Sequence, residues 1–302
     1  MAPEKSQDKL GTVLVTGGTD GLGRAAAILL AQRGYRVFAG GRNADRRNAL
    51  EQLAREKKLP LEVLDLDVTD DASVNNAVAE IERRAGPVDI LINNAGIAIG
   101  AMIEEIKLAD LRKQFETNFF GAIRVLQRVL PQMRRQRRGR IINMSSIAGK
   151  VAIPVMGPYS ASKHALEAAS DALRLELFPF GVHVVLIEPG YIPTSMNQNA
   201  TELSSAYVQI AEKSPYKGVY QGFQTTWKKT TDSSRYTPED CARVILQAIE
   251  DEPPRARYLV TKEAKIANRM KWLLSDRAFD SGIVKRFGLE PVRQAVKKEA
   301  QK

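Results

Sequence analysis

The chain has 302 residues, of which 44% are hydrophobic and 26% are charged, the composition of a globular protein rather than a disordered one. No apolar run approaches the roughly 20 residues that span a bilayer, and the polar start, MAPEKSQDKL, predicts no secretory signal, so we expect a cytoplasmic location. One cysteine, Cys241, excludes an internal disulfide, and two histidines, His164 and His183, disfavour both a multi-histidine metal site and a Ser-His-Asp triad.

The net charge of +10 is concentrated in two places. Residues 262–302 contain 11 Lys and Arg against 5 Asp and Glu, and a second basic cluster is RRQRRGR, from Arg134 to Arg140. An acidic partner, nucleic acid or an anionic membrane, is one interpretation; for the arginine cluster, complementing the dipole at a helix end is favoured. Since no nucleic-acid motif is present, we predict no nucleic-acid partner and keep peripheral membrane contact through the C-terminal extension as a hypothesis.

Short apolar runs alternate with helical patterns along most of the chain. The predicted strands are TVLV, RVFA, LEVLDL, VDILIN, RIINM, VHVVLI and RYLVT, and the predicted helices cover 22–33, 44–57, 71–85, 108–135, 159–178 and 238–250. This alternation predicts an α/β fold with a doubly wound parallel sheet of about seven strands. We expect a flexible tail at 1–10, one domain over 11–260 with 195–236 irregular or partly helical, and a basic helical extension over 261–302.

The first predicted strand is followed by TGGTDGLGRAAAILL, in which Gly17, Gly21 and Gly23 open a helix. Glycines permit positive φ and a close approach of the backbone to a ligand, and a helix N-terminus offers free N–H groups to a phosphate. No Gly-Lys-Ser/Thr follows, which argues against a nucleoside-triphosphate loop. The turn therefore predicts a site for the pyrophosphate of a dinucleotide.

The second predicted strand ends in FAGGRN, where an NAD-binding protein usually has an acid that bonds the ribose 2′-hydroxyl. Here Gly41 is followed by Arg42, whose guanidinium can make a bidentate contact with a 2′-phosphate. A solvated arginine after a turn is the alternative. We predict NADP, as NADPH, for the cofactor.

The segment GPYSASKHALEAASDAL, from Gly157, has the apolar spacing of a helix with one buried face. Tyr159 and Lys163 are four residues apart, so one face of that helix carries both side chains. A cation near a phenol lowers its pKa, and we expect a lowering of roughly 2–3 units if Tyr159 is to act as a base near pH 7. The pair predicts proton transfer to or from a substrate oxygen.

In order and spacing, these motifs resemble the short-chain dehydrogenase/reductase family from Thr12 to about Val260. The matching segments are TGGTDGLG, LDVTD, NNAG, TNFFG, NMSSIAG, YSASK and EPGYIPT, and Ser146 precedes Tyr159 by the family's usual interval of 13 residues. The resemblance implies a Rossmann-like fold and an oxidoreductase that transfers hydride between nicotinamide and a carbonyl compound or alcohol. One departure is Asp20, because some NADP-using members have a basic residue there.

The resemblance also implies the roles of individual residues. Tyr159 transfers the proton, Ser146 holds the substrate oxygen, Lys163 bonds the nicotinamide ribose, and Asn118 holds a water that links Lys163 to solvent. The implied cofactor-binding positions are Gly17, Thr19, Gly21, Leu22, Gly23, Arg42, Asp67, Val68, Asn94, Ala95, Gly96, Tyr159, Lys163, Pro189, Gly190, Ile192 and Thr194. Taken alone, each residue also has a structural interpretation, such as a strand-end cap for Ser146.

Two later segments bear on the substrate. The family has its substrate lid at 195–236, and here Tyr216, Tyr220, Phe223 and Trp227 recur at helical spacing. These side chains either pack on the domain or line a pocket for a bulky apolar compound, and the downstream stretch resembles members that act on steroids, retinoids or other lipid-like carbonyls. In the extension, KWLLSDRAFDSGIVKRFG mixes apolar and basic residues as an interfacial helix does.

The expected function is an NADP-dependent carbonyl reductase or alcohol dehydrogenase with an apolar substrate. Because family members commonly pair through the helices predicted at 108–135 and 159–178, we expect a homo-oligomer, either a dimer or a tetramer. Two alternatives stay open: a non-catalytic nucleotide-binding scaffold or regulator, and an epimerase or dehydratase that recycles its cofactor. Retention of Ser146, Tyr159 and Lys163 argues against the scaffold.

Overall fold

The computed structural model of the protein describes residues 10–299 and 301, without the side chains at 197–199 and 299. Of the tail predicted at 1–10, only Leu10 lies within the described residues. The strands are β1 (Thr12–Thr16), β2 (Arg36–Gly41), β3 (Leu61–Asp65), β4 (Ile90–Asn93), β5 (Gly139–Met144), β6 (Val182–Glu188) and β7 (Arg257–Leu259). They form one sheet in the order β3-β2-β1-β4-β5-β6-β7, with every pair parallel. The predicted doubly wound sheet is confirmed.

Helices cover both faces of this sheet and continue beyond it. They are α1 (Gly21–Gln32), α2 (Ala44–Glu56), α3 (Asp71–Ala85), α4 (Leu108–Phe115), α5 (Gly121–Gln136), α6 (Gly157–Leu177), α7 (Ser195–Leu203), α8 (Ser205–Ala211), α9 (Lys217–Ser233), α10 (Pro238–Glu250), α11 (Lys262–Leu273), α12 (Asp276–Arg286) and α13 (Leu289–Glu299). Alternate residues of β1 enter opposite cores: Val13 packs with Leu30 and Ile245, whereas Leu14 packs with Val78 and Val125. Strands buried on both faces explain the continuous apolar runs.

The helix predicted at 108–135 is interrupted by a wider, π-helical turn. A π-helical turn at Glu116–Phe120 separates α4 from α5, and it carries Asn118, whose side chain bonds the backbone at Ile97. Such turns often mark functional sites. The hydrophobic spacing on either side continues across the turn, so the sequence pattern does not reveal it.

The segment at 195–236, expected to be irregular or partly helical, contains three helices, α7 to α9. The extension is helical, but the apolar and basic segment from Lys271 is divided between two helices: α11 ends at Leu273, and the Ser275 side chain caps α12 by accepting a hydrogen bond from Ala278 N. The arginine cluster is divided too. Arg137, with φ of 52°, ends α5, and Arg140 is a buried residue of β5 that donates to the carbonyl of Ala248.

Candidate active site

Tyr159 and Lys163 stand on the first two turns of α6, as predicted from their spacing. The Lys163 Nζ lies 5.8 Å from the centroid of the Tyr159 ring. The lysine is only 4% exposed and donates a 2.7 Å hydrogen bond to the carbonyl of Met144, the last residue of β5. This bond fixes the ammonium between the helix and the end of the strand.

Ser146 follows β5 and brings a hydroxyl to the same place. Its side chain caps a short 3-10 turn at Ile147–Gly149 by accepting a 3.1 Å hydrogen bond from Ala148 N. The same hydroxyl hydrogen-bonds the phenol of Tyr159. A serine hydroxyl has two acceptor lone pairs as well as its donor, so Ser146 can serve both partners.

Burial determines the protonation of the phenol and the ammonium. It raises the pKa of Tyr159 to about 12, against the lowering effect of the Ser146 hydrogen bond. It lowers the pKa of Lys163 to about 8, although the Glu167 carboxylate acts in the other direction. The lowered phenol pKa expected from the sequence is therefore wrong for the protein's own groups, because desolvation disfavours both charged forms. Near pH 7 the phenol is a proton donor.

Asn118 braces the π-helical turn against the catalytic helix. It is 1% exposed; its Nδ2 donates to the Ile97 carbonyl at 2.9 Å and to Ser162 Oγ at 3.0 Å, and its Oδ1 accepts from Ile97 N at 2.8 Å. Ser162 in turn donates to the carbonyl of Tyr159 at 2.7 Å. Both amide hydrogens are thus used within the protein, and the water link implied by the family resemblance stays a prediction.

The glycine turn between β1 and α1 is shaped as a close-approach site. Gly17 has φ of +61°, and a Cβ there would lie 2.9 Å from Ala95 Cα. A Cβ at Gly23 would lie 2.3 Å from Asn94 Nδ2. That amide donates to the carbonyls of Thr16 and Gly17 at 3.0 and 3.1 Å, so the predicted NNAG segment supports the predicted phosphate turn directly.

The predicted nicotinamide segment connects β6 to the same turn. Pro189 accepts a 2.9 Å backbone hydrogen bond from Ile147 N, Gly190 packs against Thr261, and Ile192 is 6% exposed in the core. Thr194 approaches Gly21, whose Cβ would lie 3.5 Å from it. The predicted residues therefore gather along the carboxyl ends of β1, β4, β5 and β6, the usual binding edge of an open parallel sheet.

Arg42 follows β2 at this edge and pairs with Asp67, with 3.4 Å between Nη1 and Oδ2. Burial acts to raise the pKa of Asp67, but hydrogen bonds from Thr69 and Arg42 outweigh it and leave that pKa below its usual value. Thr19 fills the space beside Gly41, where a Cβ would lie 2.2 Å from Thr19 Oγ1. Val68, the predicted adenine neighbour, is 5% exposed and belongs to the core.

A second arginine, Arg46, lies at this corner, and the sequence analysis does not identify it. Arg46 Nη1 lies 2.5 Å from Asp20 Oδ2, and Asp20 caps α1 by accepting a 2.7 Å hydrogen bond from Gly21 N. Ser195, at the start of α7, donates to the same carboxylate. The available signal was the N-cap Asn43, because a helix starting there places Arg46 in its first turn.

A mainly apolar cleft of about 470 Å³ opens at the N-terminal end of α6. Its lining residues are Ala101, Met102, Ile103, Glu104, Ile153, Pro154, Val155, Gly157 and Tyr216. The polar members are at one side, where the Tyr216 hydroxyl donates to Glu104. The rest of the wall offers no hydrogen-bonding side chain, which suits an apolar ligand.

The four aromatic residues predicted to share a face of the lid segment (195–236) have different surroundings. Only Tyr216 lines the cleft. Tyr220 donates to Glu105 at 2.8 Å and accepts from Met102 N at 3.2 Å. Trp227 packs edge-on against Tyr191 and stacks on Phe223, with centroid distances of 5.1 and 5.4 Å. The structure thus places Trp227 in a packing cluster and not in this cleft.

Residues 10–299 contain no group of three His, Cys, Asp or Glu side chains arranged to hold a metal ion. In the same described part of the chain, no helix has the length and apolar character needed to cross a bilayer.

Comparisons with known proteins agree with this geometry. The family model of short chain dehydrogenases matches residues 11–204. An uncharacterized oxidoreductase of Bacillus subtilis is 37% identical over 277 residues, which cover 91% of this chain and 97% of the relative. A 3-ketodihydrosphingosine reductase of Bacteroides thetaiotaomicron is 40% identical over 202 residues, or 66% and 71% of the two chains. A crystal structure of a variant actinorhodin polyketide ketoreductase with NADPH superposes with a TM-score of 0.72 at 31% identity, covering 84% and 96%.

Proposed function

Because the chain belongs to the short-chain dehydrogenase family, we propose that it is an NADPH-dependent reductase of apolar carbonyl compounds that can also run in the oxidative direction. The observation that carries the proposal is the convergence of Ser146, Tyr159 and Lys163 at the end of β5, beside a glycine turn suited to a dinucleotide. A scaffold that only binds a nucleotide needs no such set of proton-handling groups.

The proposed mechanism divides the work between the cofactor and the protein. When bound, the nicotinamide supplies the hydride. Tyr159 gives its phenolic proton to the carbonyl oxygen, and a pKa of about 12 keeps that proton in place until charge develops on the oxygen. Ser146, held by Ala148 N, supports the same oxygen. The ammonium of Lys163 stabilises the phenolate left behind.

We propose that NADP is preferred because two guanidiniums, Arg42 and Arg46, stand at the end of β2. Each is paired with a carboxylate, Asp67 and Asp20 respectively, and a 2′-phosphate offers both a stronger bidentate acceptor. Asp20 is then no obstacle to NADP, because Arg46 compensates its charge. The crystal structure of the similar ketoreductase contains NADPH, which supports this choice.

The apolar substrate follows from the cleft beside α6. Its walls include Met102, Ile103, Ile153 and Val155, and α6 carries Tyr159 two residues beyond Gly157, which also lines it. The relative named for reducing 3-ketodihydrosphingosine is consistent with a lipid-like ketone. The lid segment, α7 to α9, is proposed to cover such a substrate.

The test is a panel of ketones and aldehydes, from short polar to long-chain compounds, assayed with NADPH and with NADH. We expect net NADPH consumption and a kcat/KM that rises with chain length by about fourfold per methylene bound, since burial of a CH₂ is worth about 0.8 kcal/mol. Turnover without net consumption would favour an epimerase or dehydratase. A preference for small polar carbonyls would contradict the apolar cleft.

We also propose that the enzyme is cytoplasmic and contacts anionic membranes through α11. Its outer face exposes Ile266, Met270 and Leu273 at helical spacing, with Trp272 83% exposed. The exposed basic residues of the helix are Lys262, Lys265 and Arg269. Apolar side chains with a basic border suit an anionic bilayer surface.

Vesicle sedimentation tests this contact. Phosphatidylglycerol vesicles should bind the protein, and phosphatidylcholine vesicles should not bind it. Trp272→Glu should abolish binding, whereas Phe178→Glu should leave binding unchanged, although both side chains are 83% exposed. Binding that is indifferent to lipid charge or to Trp272 would contradict the proposal. Light scattering should show the same dimer or tetramer for wild type and Trp272→Glu, because pairing is proposed through α4 to α6, where Leu108, Phe120 and Leu175 are exposed.

A further inference from the structure

Two buried carboxyl groups lie behind the catalytic helix. Glu167 is on α6, one turn after Lys163, and is 4% exposed, while Glu188 is the last residue of β6 and is fully buried. Buried acids are rare unless they are paired. The position of Glu188, directly before Pro189, puts this pair under the segment predicted to hold the nicotinamide.

Cations from two other elements surround the pair. Lys150, after the 3-10 turn, lies 2.9 Å from Glu167 Oε2. Arg257, on β7, lies 3.1 Å from Glu167 Oε2 and 3.1 Å from Glu188 Oε1. Arg257 also lies 2.6 Å from Asp171, one turn further along α6. Arg174, also on α6, pairs with Asp171 at 3.1 Å, so three cations face three carboxyl groups, and Lys163 lies one helical turn before Glu167.

The hydrogen bonding of the two acids is incomplete when both are ionised. Oε1 of Glu167 and both oxygens of Glu188 have no hydrogen-bond donor among the described residues. The interaction with Glu167 nevertheless raises the pKa of Glu188, and two ionised carboxylates have no proton to share, so we take the pair to hold one proton. Burial and the repulsion of Glu167 raise the pKa of Glu188 to about 7, against Lys150 and Arg257.

The buried ammonium of Lys163 is stabilised by a nearby negative charge. Its hydrogen bond to the Met144 carbonyl is to a neutral group, and the other titratable group on its face of α6 is the neutral phenol of Tyr159. Burial lowers the pKa of Lys163, and the carboxylate of Glu167 is the group that opposes this. The charge of Lys163 and the carboxyl pair are thus linked through one helical turn.

We propose that Glu167 and Glu188 are a proton-sharing pair of positioning residues that keeps the buried ammonium of Lys163 charged during the reaction. The proposal rests on the proposed function, because the ammonium matters through the phenol it stabilises. When the pair releases its proton at higher pH, it adds a second negative charge behind the catalytic helix. The pair therefore supports the ammonium most where it would otherwise be lost.

The test is a direct titration of Lys163 in the full chain. With ¹³C-labelled lysine, the Lys163 Cε resonance is identified by its loss in Lys163→Arg, and its shift is followed against pH in wild type, Glu167→Gln and Asp171→Asn. Asp171→Asn is the matched control, since it removes another carboxylate of α6 that pairs with Arg257. We expect the Lys163 midpoint near pH 8 to fall by about one pH unit or more in Glu167→Gln and to stay in place in Asp171→Asn.

The same midpoint in wild type and Glu167→Gln, or an equal fall in Asp171→Asn, would overturn the proposal. If Glu167→Gln does not fold, Glu188→Gln replaces it, because the amide keeps the shape of the protonated acid. A lower Lys163 midpoint in that variant supports the proposed pair, and an unchanged midpoint overturns it. The basic limb of the reductase pH profile should move with the midpoint. Because the titration needs no turnover, inactivity of the wild type would count against the proposed function and leave the titration result decisive for the pair.

Discussion

At the residue scale, the sequence contained the catalytic set but not its surroundings. The sequence showed the interval from Ser146 to Tyr159 and the step to Lys163, because the spacing of a motif along the chain is visible without the fold. The pairing of Asp20 with Arg46 and the contact of Glu167 with Glu188 were not, because each joins elements that only the sheet brings together. The direction of the Tyr159 pKa was also wrong from sequence, because burial is a property of the fold.

At this scale, Arg42 is proposed to determine the preference for NADPH over NADH. In Arg42→Ala we expect the Kd for NADPH to rise by about 10- to 100-fold, the value of a charged hydrogen bond of roughly 1.5–3 kcal/mol, while the Kd for NADH changes little. Arg55→Ala is the control, since Arg55 is on the same helix as Arg46 and is exposed. Fluorescence titration of both cofactors measures this, and equal losses for the two would show that Arg42 is not reading the phosphate.

An aspartate at Gly41 would be the change that favours NADH, because its carboxylate could bond the ribose 2′-hydroxyl. This substitution has a structural obstacle. An aspartate there would place its Cβ 2.2 Å from Thr19 Oγ1, so Gly41→Asp alone displaces Thr19 from the phosphate turn. A gain in NADH binding is therefore not expected from that single substitution.

At the element scale, the alternation of strands and helices was predictable because buried parallel strands and amphipathic helices leave distinct patterns. The π-helical turn was not, since it depends on Asn118 reaching the backbone of Ile97, 21 residues away. The lid segment was expected to be only partly helical, and the packing of its three helices was not predicted. Their apolar side chains, including Tyr207 and Tyr220, turn towards the 102–110 region, and this partner surface does not show in the local pattern.

Tyr220 connects the lid segment to the cleft wall, and its loss should alter substrate use. Tyr220→Phe removes the bonds to Glu105 and Met102 N, and we expect kcat/KM for a long-chain ketone to fall about five- to tenfold, or about 1 kcal/mol. Tyr258→Phe is the matched control, because Tyr258 also donates to a carboxylate, Asp251, and accepts from a backbone amide, Arg255 N.

Both tyrosine variants should lose similar stability in urea unfolding, since each removes one hydrogen bond to a carboxylate and one from a backbone amide. Only Tyr220→Phe should change the kinetics. A parallel loss of kcat/KM in Tyr258→Phe would mean that general destabilisation, and not the lid segment, explains the effect.

At the scale of the whole molecule, one sheet edge collects the phosphate turn, the catalytic end of β5 and the segment after β6. The parallel order β3-β2-β1-β4-β5-β6-β7 makes this unavoidable, because every strand ends on the same side. The C-terminal extension then packs on the lid segment, with Phe287 stacked on Phe223 at 6.3 Å between centroids. Composition predicted a basic helical extension, but its folding back onto α9 required the tertiary structure.

The central claim, that Tyr159 delivers the proton, is tested most directly by Tyr159→Phe. Single-turnover NADPH oxidation with the best carbonyl compound of the panel should slow by about 10²- to 10⁴-fold, the contribution of one general acid. NADPH affinity should be nearly unchanged, because the ring remains and only the hydroxyl is lost. A variant that keeps more than about a tenth of the wild-type rate would contradict the assignment of Tyr159 as the proton donor.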